Sequence, residues 1–247
     1  MPLFCVVYRN FLQIAQNVVM KRNYSAVFAA ILLIAVIIAL VAEFAPQKTT
    51  LTFADSSEKI IYLTFDDGPS DRVTPKILDV LKEENVKATF FIVGKNAVLR
   101  KNILRRAARE GHTLGVHSYS HVYNEIYSSV QSLLEDIDKC NKVIQEITGE
   151  PASVYRFPGG SFFLSEPLKQ AVLDRGMKYI DWNASLNDAE LQDPTPDNLF
   201  DTAVATAANR DKVVLLAHDT TDKTATAEAL KNVIRYFKQQ GYKFEKF

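Results

Sequence analysis

Two histidines four positions apart, in the segment HSYSH, are the pair best suited to bind a metal ion. His117 and His121 would share one face if this segment formed a helical turn. Without other ligands nearby, such a pair is as typical of two surface histidines as of a metal site. Asp66 and Asp67 add the carboxylate of a catalytic site made of two histidines, one carboxylate and water. Adjacent side chains at a strand end point in different directions, so one aspartate can bind metal while the other acts as a base.

Further polar side chains also come directly after strand-like segments. They are Arg156, Asp181, Trp182 and His218. The carboxyl ends of parallel strands meet at one edge of a sheet, where active sites form. We therefore expect these residues and the aspartate and histidine pairs to lie together.

The elements that must position these residues alternate between strands and helices. A β-branched and aromatic strand at 59–65 ends at a turn, an amphipathic helix covers 130–148, and an apolar strand covers 212–217. Such alternation predicts a parallel α/β architecture. The chain contains no glycine-rich phosphate loop, so nucleotide binding is not expected.

Composition excludes other classes of function. The 247 residues include 29 Lys and Arg and 29 Asp and Glu, so the formal net charge is zero. A protein that binds nucleic acid normally has a basic surplus. Two cysteines are too few for a disulfide framework or a thiolate metal site.

The N-terminal region predicts a membrane anchor. Residues 25–42 are uncharged, and Lys21 and Arg22 precede them. As a helix this segment would be about 27 Å long, close to the bilayer's hydrocarbon thickness. The positive-inside rule then places residues 1–24 in the cytoplasm and, beyond a stalk at 43–58, a domain at 59–247 outside the cell. The alternative is a cleaved signal peptide and a secreted protein, although the apolar run is long for one.

Five segments resemble, in order, the five motifs of the polysaccharide deacetylases, the NodB-homology group also called carbohydrate esterase family 4. The segments are TFDDG at 64–68, HSYSH at 117–121, RFPGG at 156–160, DW at 181–182 and LAH at 216–218. The resemblance covers 59–247. It implies an irregular (β/α) barrel of about seven parallel strands, preceded here by the transmembrane helix.

The resemblance also implies a role for each polar residue. Asp67, His117 and His121 would hold one divalent metal ion, with zinc the usual ion. Asp66 would be the general base, and His218 would be the general acid that protonates the departing sugar nitrogen.

The same resemblance assigns five supporting residues. Arg156 would brace the base, and Asp181 would orient the acid. Trp182 and Leu216 would line the acetyl pocket, and the backbone N–H of Gly159 would stabilise the oxyanion. Many members of the family carry tyrosine where this chain has Gly159, so we expect a wider and less aromatic cleft here.

The implied function is a hydrolase that removes acetyl groups from N-acetylated amino sugars of an extracellular glycan, with bacterial peptidoglycan favoured. The resemblance leaves open N-acetylglucosamine or N-acetylmuramic acid as the sugar. Two alternatives are an O-acetyl esterase acting on xylan and a catalytically silent protein that binds the cell wall. No obligate protein partner is expected.

Overall fold

The computed structural model describes residues 58–247, which form one α/β domain. Its strands are β1 (Ile60–Asp66), β2 (Thr89–Val93), β3 (Thr113–Ser118), β4 (Val154–Tyr155), β5 (Lys178–Tyr179), β6 (Ala184–Ser185), β7 (Lys212–His218) and β8 (Lys243–Glu245). Its helices are α1 (Thr74–Glu83), α2 (Gly94–Leu99), α3 (Lys101–Arg109), α4 (Tyr123–Ile126), α5 (Val130–Thr148), α6 (Glu166–Asp174), α7 (Pro196–Ala207) and α8 (Thr224–Gln239).

Every strand pairing in the sheet is parallel, which confirms the predicted architecture. Seven strands follow the order β5-β4-β3-β2-β1-β7-β6, and β8 pairs with the first half of β1. Within residues 58–247 no pairing joins β5 to β6, so the sheet is a partly open barrel rather than a closed one. The segment 180–183 links these strands, with the Ile180 N–H bonded to Tyr155 and the Asn183 N–H bonded to Val214.

The core forms because the helices place apolar faces against this sheet. In α5 the buried residues recur at helical spacing: Leu133, Ile137, Cys140, Ile144 and Ile147. Burying a large aliphatic side chain contributes roughly 1.5–3 kcal/mol. The helix begins after Ser129, whose side chain accepts a hydrogen bond from the Ser132 N–H, and ends at Gly149 with φ of 93°. The first arrangement is favoured at the N-terminus of a helix and the second at its C-terminus.

One predicted helix is divided in two. The sequence indicates a continuous helix over 96–110, but α2 and α3 are separated at Arg100, which has φ of −128°. The Arg100 guanidinium reaches Asp71 at 2.9 Å, so this residue ties the interruption to the loop that follows β1.

The predicted tail (1–24), transmembrane helix (25–42) and all of the stalk except its last residue lie outside the described residues. Across residues 58–247 no helix combines the length and the apolar character needed to cross a bilayer. The membrane anchor therefore remains a prediction.

Candidate active site

The polar residues predicted at strand ends meet at one edge of the sheet. Asp66 at the end of β1 is the direct partner of His218 at the end of β7. His117 lies near the end of β3, and Arg156 follows β4. This arrangement brings carboxylates, imidazoles and a guanidinium together from four strands.

Three of these side chains converge in the geometry of a metal site. Ligand atoms of Asp67, His117 and His121 all lie within 4.8 Å of one another. Asp67 Oδ1 is 3.3 Å from His117 Nε2 and 3.1 Å from His121 Nε2. This is the ligand set that the sequence predicts.

The backbone that builds this cluster differs from the helical turn expected for HSYSH. His117 is part of β3, and His121 lies in a following turn with φ of 56°. Ser118 Oγ accepts hydrogen bonds from the N–H groups of Ser120 and His121. The prediction of a helical turn is wrong, because these side-chain bonds close a tight loop instead.

The carboxylate of Asp136, on α5, also binds the loop at 118–121. Asp136 accepts hydrogen bonds from Ser118 Oγ and from the N–H groups of Tyr119 and Ser120, at 2.7–3.0 Å. The helix therefore positions the loop that carries His121.

The three side chains fit a divalent metal ion. His117 Nδ1 lies 2.9 Å from the Arg156 carbonyl, which can only accept, so Nδ1 carries the proton and Nε2 presents a lone pair. Asp67 Oδ1 is buried without a hydrogen-bond partner among the described residues. Burial would raise the pKa of Asp67, but hydrogen bonds from His117 and His121 and their positive charge, both present when the imidazoles are protonated, hold that pKa far below its usual value. A carboxylate surrounded by imidazole nitrogens is a suitable metal ligand.

Asp66 occupies a different environment from its neighbour. It is 2% exposed, and its Oδ1 accepts a hydrogen bond of 2.9 Å from the fully buried Arg156. Arg156 also donates to Thr64 Oγ1 and to the Ile180 carbonyl. The predicted bracing of Asp66 by Arg156 is present. The guanidinium fixes one carboxylate oxygen of Asp66 and balances its charge.

His218 is oriented by Asp188, a residue that the sequence analysis did not single out. His218 Nδ1 lies 2.7 Å from Asp188 Oδ1. The other Asp188 oxygen accepts hydrogen bonds from the His218 N–H and from Thr226 Oγ1. Burial would lower the pKa of His218, but the hydrogen bond and charge of Asp188 raise it to about 9. The imidazole is thus held as a cation with Nε2–H free to donate.

The predicted contact between Asp181 and His218 is wrong. Both Asp181 carboxylate oxygens instead accept hydrogen bonds from Ser161, one from its N–H and one from its hydroxyl. Asp181 lies in the link from β5 to β6, whereas Asp188 follows β6, which pairs with β7. Asp188 therefore lies beside the end of β7, whereas Asp181 does not. The position of Asp188 shortly after a strand could have indicated this role. However, β6 has only two residues and shows no periodicity that would identify it as a strand.

The remaining predicted residues lie around the 156–160 loop and on β7. Trp182 packs 5.6 Å from the Arg156 guanidinium and edge-on to Phe162. Leu216 is buried within β7. Gly159 has φ of 77°, a left-handed conformation that favours glycine.

The space beside Gly159 contains an aromatic ring, contrary to the expected wider cleft. A Cβ atom at this glycine would lie 3.0 Å from Tyr123 Cε1 and 3.3 Å from its hydroxyl oxygen. The spacing of Tyr119, Tyr123 and Tyr127 by four positions in the sequence favours helix packing over sugar stacking. Nothing in the sequence connects Tyr123 with Gly159, which is 36 positions away along the chain.

Comparison with known proteins agrees with this site. The sequence model described as polysaccharide deacetylase matches residues 54–180. Peptidoglycan-N-acetylglucosamine deacetylase of Bacillus cereus is 30% identical over 189 residues, covering 76% of this chain and 86% of the relative. Peptidoglycan-N-acetylmuramic acid deacetylase PdaA of Bacillus subtilis is 30% identical over 191 residues, covering 77% and 71%.

Solved structures show the same fold. A Streptococcus mutans CE4 esterase superposes with a TM-score of 0.72 at 36% identity, covering 77% of this chain and 86% of that one. The fold and the names of these relatives place the chain in a class of carbohydrate-active hydrolases. The chain belongs to the polysaccharide deacetylase family.

Proposed function

We propose that this protein is a metal-dependent deacetylase of peptidoglycan, acting on N-acetylated amino sugars. The observation that carries the proposal is the pairing of Asp66 with His218 across β1 and β7. This pairing sets a carboxylate and a protonated imidazole beside the Asp67, His117 and His121 cluster. Relatives are named for both peptidoglycan sugars, so the proposal covers either one.

The reaction begins with attack of water on the acetamide carbonyl. Asp66, held by Arg156 through one oxygen, takes the water proton as the new C–O bond forms. When bound at Asp67, His117 and His121, a divalent ion, with zinc favoured, supplies Lewis-acid polarisation of the carbonyl and lowers the pKa of water.

Collapse of the tetrahedral species needs a proton for the sugar nitrogen. The backbone N–H of Gly159, the donor that the family resemblance implies, donates to the oxyanion. Glycine suits this position because its backbone is left-handed. His218 Nε2–H gives its proton to the departing nitrogen while Asp188 stabilises the imidazolium through Nδ1. The C–N bond breaks, and acetate and a free amino sugar result.

The two neighbouring aspartates provide the test. Full-length protein in detergent is loaded with zinc, and acetate release is measured on peptidoglycan, chitin oligosaccharides and acetylated xylan. We expect the wild type to act on peptidoglycan. Asp66→Asn should retain zinc and lose activity by roughly 10²–10⁴-fold, whereas Asp67→Asn should lose both zinc and activity.

Other outcomes would contradict the proposal. Acetate from xylan alone would indicate an O-acetyl esterase, and no release from any substrate by the zinc-loaded wild type would indicate a silent binding protein. Mass spectrometry of muramidase fragments identifies which sugar loses its acetyl group.

We further propose that the protein is a single-pass membrane protein with the domain outside the cell, which rests on the apolar run at 25–42 and the preceding Lys21 and Arg22. Protease added to intact cells should digest the domain and spare an N-terminal tag. A mature protein beginning near Glu43 would show a cleaved signal peptide instead.

A further inference from the structure

Tyr123 lies between a predicted metal ligand and the predicted oxyanion donor. Its ring meets His121 edge-on, with the two centroids 5.5 Å apart. The same ring covers the position where a side chain at Gly159 would begin, at 3.0 Å. One phenol therefore contacts both sides of the place where the acetamide must sit.

The structure holds this tyrosine in position while leaving its ring accessible. Tyr123 begins the short helix α4, and Tyr127, one turn later, packs against it edge-on at 6.0 Å. The Tyr127 hydroxyl donates a hydrogen bond of 2.8 Å to the Pro158 carbonyl, which ties α4 to the loop containing Gly159. Tyr123 itself remains 46% exposed. An aromatic ring that is both anchored and open to solvent is suited to binding a ligand.

We infer that Tyr123 is a substrate-binding residue that forms the aromatic wall beside the acetamide-bearing sugar, an inference that rests on the proposed deacetylase function. A pyranose ring presents a face of C–H groups, which packs favourably on the electron-rich face of an aromatic ring. The phenol hydroxyl adds a polar tip that can hydrogen-bond a sugar hydroxyl. The ring thus occupies, from a different part of the chain, the space that Gly159 leaves unfilled.

If Tyr123 binds the sugar, the absence of a side chain at Gly159 leaves room for the Tyr123 ring in the cleft. A larger residue at Gly159 would place its Cβ atom 3.0 Å from the Tyr123 ring, closer than ordinary van der Waals contact, and it would also need an unfavourable left-handed backbone. The aromatic surface that a tyrosine at position 159 would supply is therefore already present, because Tyr123 supplies it. The Gly159 N–H remains the oxyanion donor, and Tyr123 acts on binding of the sugar rather than on the chemical step.

The test compares Tyr123→Leu and Tyr123→Phe with the matched control Tyr242→Leu, a half-buried tyrosine next to β8 at the opposite edge of the sheet. Zinc content, kcat and KM are measured on peptidoglycan fragments with the full-length protein. Binding of the N-acetylglucosamine tetramer is measured by calorimetry with each variant placed in an Asp66→Asn background, which prevents turnover.

We expect Tyr123→Leu to raise KM and the tetramer's Kd by roughly tenfold, the order expected for one lost aromatic contact. Its kcat should stay within about threefold and its zinc content should not change. Tyr123→Phe and Tyr242→Leu should both remain within about threefold of the wild type.

Three results would overturn the inference. Unchanged KM and Kd in Tyr123→Leu would mean that the ring does not bind sugar. A fall in kcat alone in Tyr123→Phe would make the hydroxyl an oxyanion donor. Loss of zinc from Tyr123→Leu would make the residue a support for His121. If wild type releases no acetate yet binds the tetramer through Tyr123, the proposed function fails while the binding site stands.

Discussion

Two adjacent aspartates acquire different properties because the backbone turns between them. Asp66 completes β1 and is buried against Arg156. Asp67 has φ of 75°, which redirects its carboxylate from the strand toward His117 and His121. A left-handed aspartate is a local strain that needs support from its surroundings. Here it separates a residue suited to proton transfer from one suited to metal binding.

We expect the carboxylate of Asp188, which contacts His218, to set the alkaline limit of activity. Burial disfavours the imidazolium, yet the hydrogen bond and charge of Asp188 raise the pKa of His218 to about 9. A general acid works only while protonated, so activity should fall as pH rises through that pKa. Asp188→Asn removes the negative partner, and the alkaline limb of kcat/KM should move to lower pH by about one to three units.

Asp181→Asn is the matched control for this prediction. Asp181 contacts Ser161 rather than His218, so its neutralisation should leave the position of the limb unchanged even if the rate falls. A limb that shifts in Asp181→Asn and not in Asp188→Asn would restore the assignment made from the sequence.

At the scale of elements, α5 supports the candidate metal site without supplying a ligand. Asp136 holds three donors of the loop between β3 and α4, so the helix determines where His121 can lie. We expect Asp136→Asn to weaken zinc binding by roughly 10–100-fold, the usual effect of losing a partner behind a metal ligand. Zinc affinity is measured by competition with a chelator.

Asp138→Asn is the control for the helix itself. Asp138 is on the same helix but pairs with Arg175 at the surface, where an ion pair contributes little. Its zinc affinity should match the wild type. Equal zinc affinity in Asp136→Asn and the wild type would show that the loop holds its shape without α5.

Long elements and local motifs could be predicted from the sequence, whereas contacts between short strands could not. The apolar residues of α5 repeat over 19 positions, and the predicted bounds of 130–148 are confirmed. Strands β4, β5 and β6 have two residues each, too few for any periodicity. Asp188 depends on the pairing of β6 with β7, and Tyr123 depends on the packing of α4 against the 157–160 loop. Asp188 was therefore missed, and the spacing of Tyr123 indicated only helix packing, because these are tertiary contacts.

In the described domain as a whole, histidines lie at both ends of the strands of the sheet, in different surroundings. His117 and His218 lie at the carboxyl ends of β3 and β7, near Asp66 and Asp67. His112 precedes β3 at the other edge, where its Nδ1 accepts a hydrogen bond from the Ala88 N–H and its ring packs edge-on against Phe90. It is 6% exposed, and its Nε2 has no partner among residues 58–247. The structure therefore places this histidine in the core.

His112 should make the stability of the domain depend on pH without affecting catalysis. Burial lowers the pKa of His112 to about 4, with the charges of Lys87, Lys246 and Arg106 acting in the same direction and Glu110 opposing them. An unfolded histidine has a pKa near 6.5, so between these values the unfolded chain binds more protons. Stability should therefore fall as pH drops from about 6.5 to 4, by on the order of 3 kcal/mol in total.

The variant His112→Asn tests this prediction. It places an amide oxygen where His112 Nδ1 accepts from the Ala88 N–H, and this amide cannot be protonated in that pH range. Thermal unfolding at pH 7, 6, 5 and 4.5 should show a smaller loss of Tm in this variant than in the wild type, while the pH profile of kcat/KM stays the same. A wild-type loss of Tm that the variant reproduces in full would assign the acid sensitivity to the carboxylates at the catalytic edge instead.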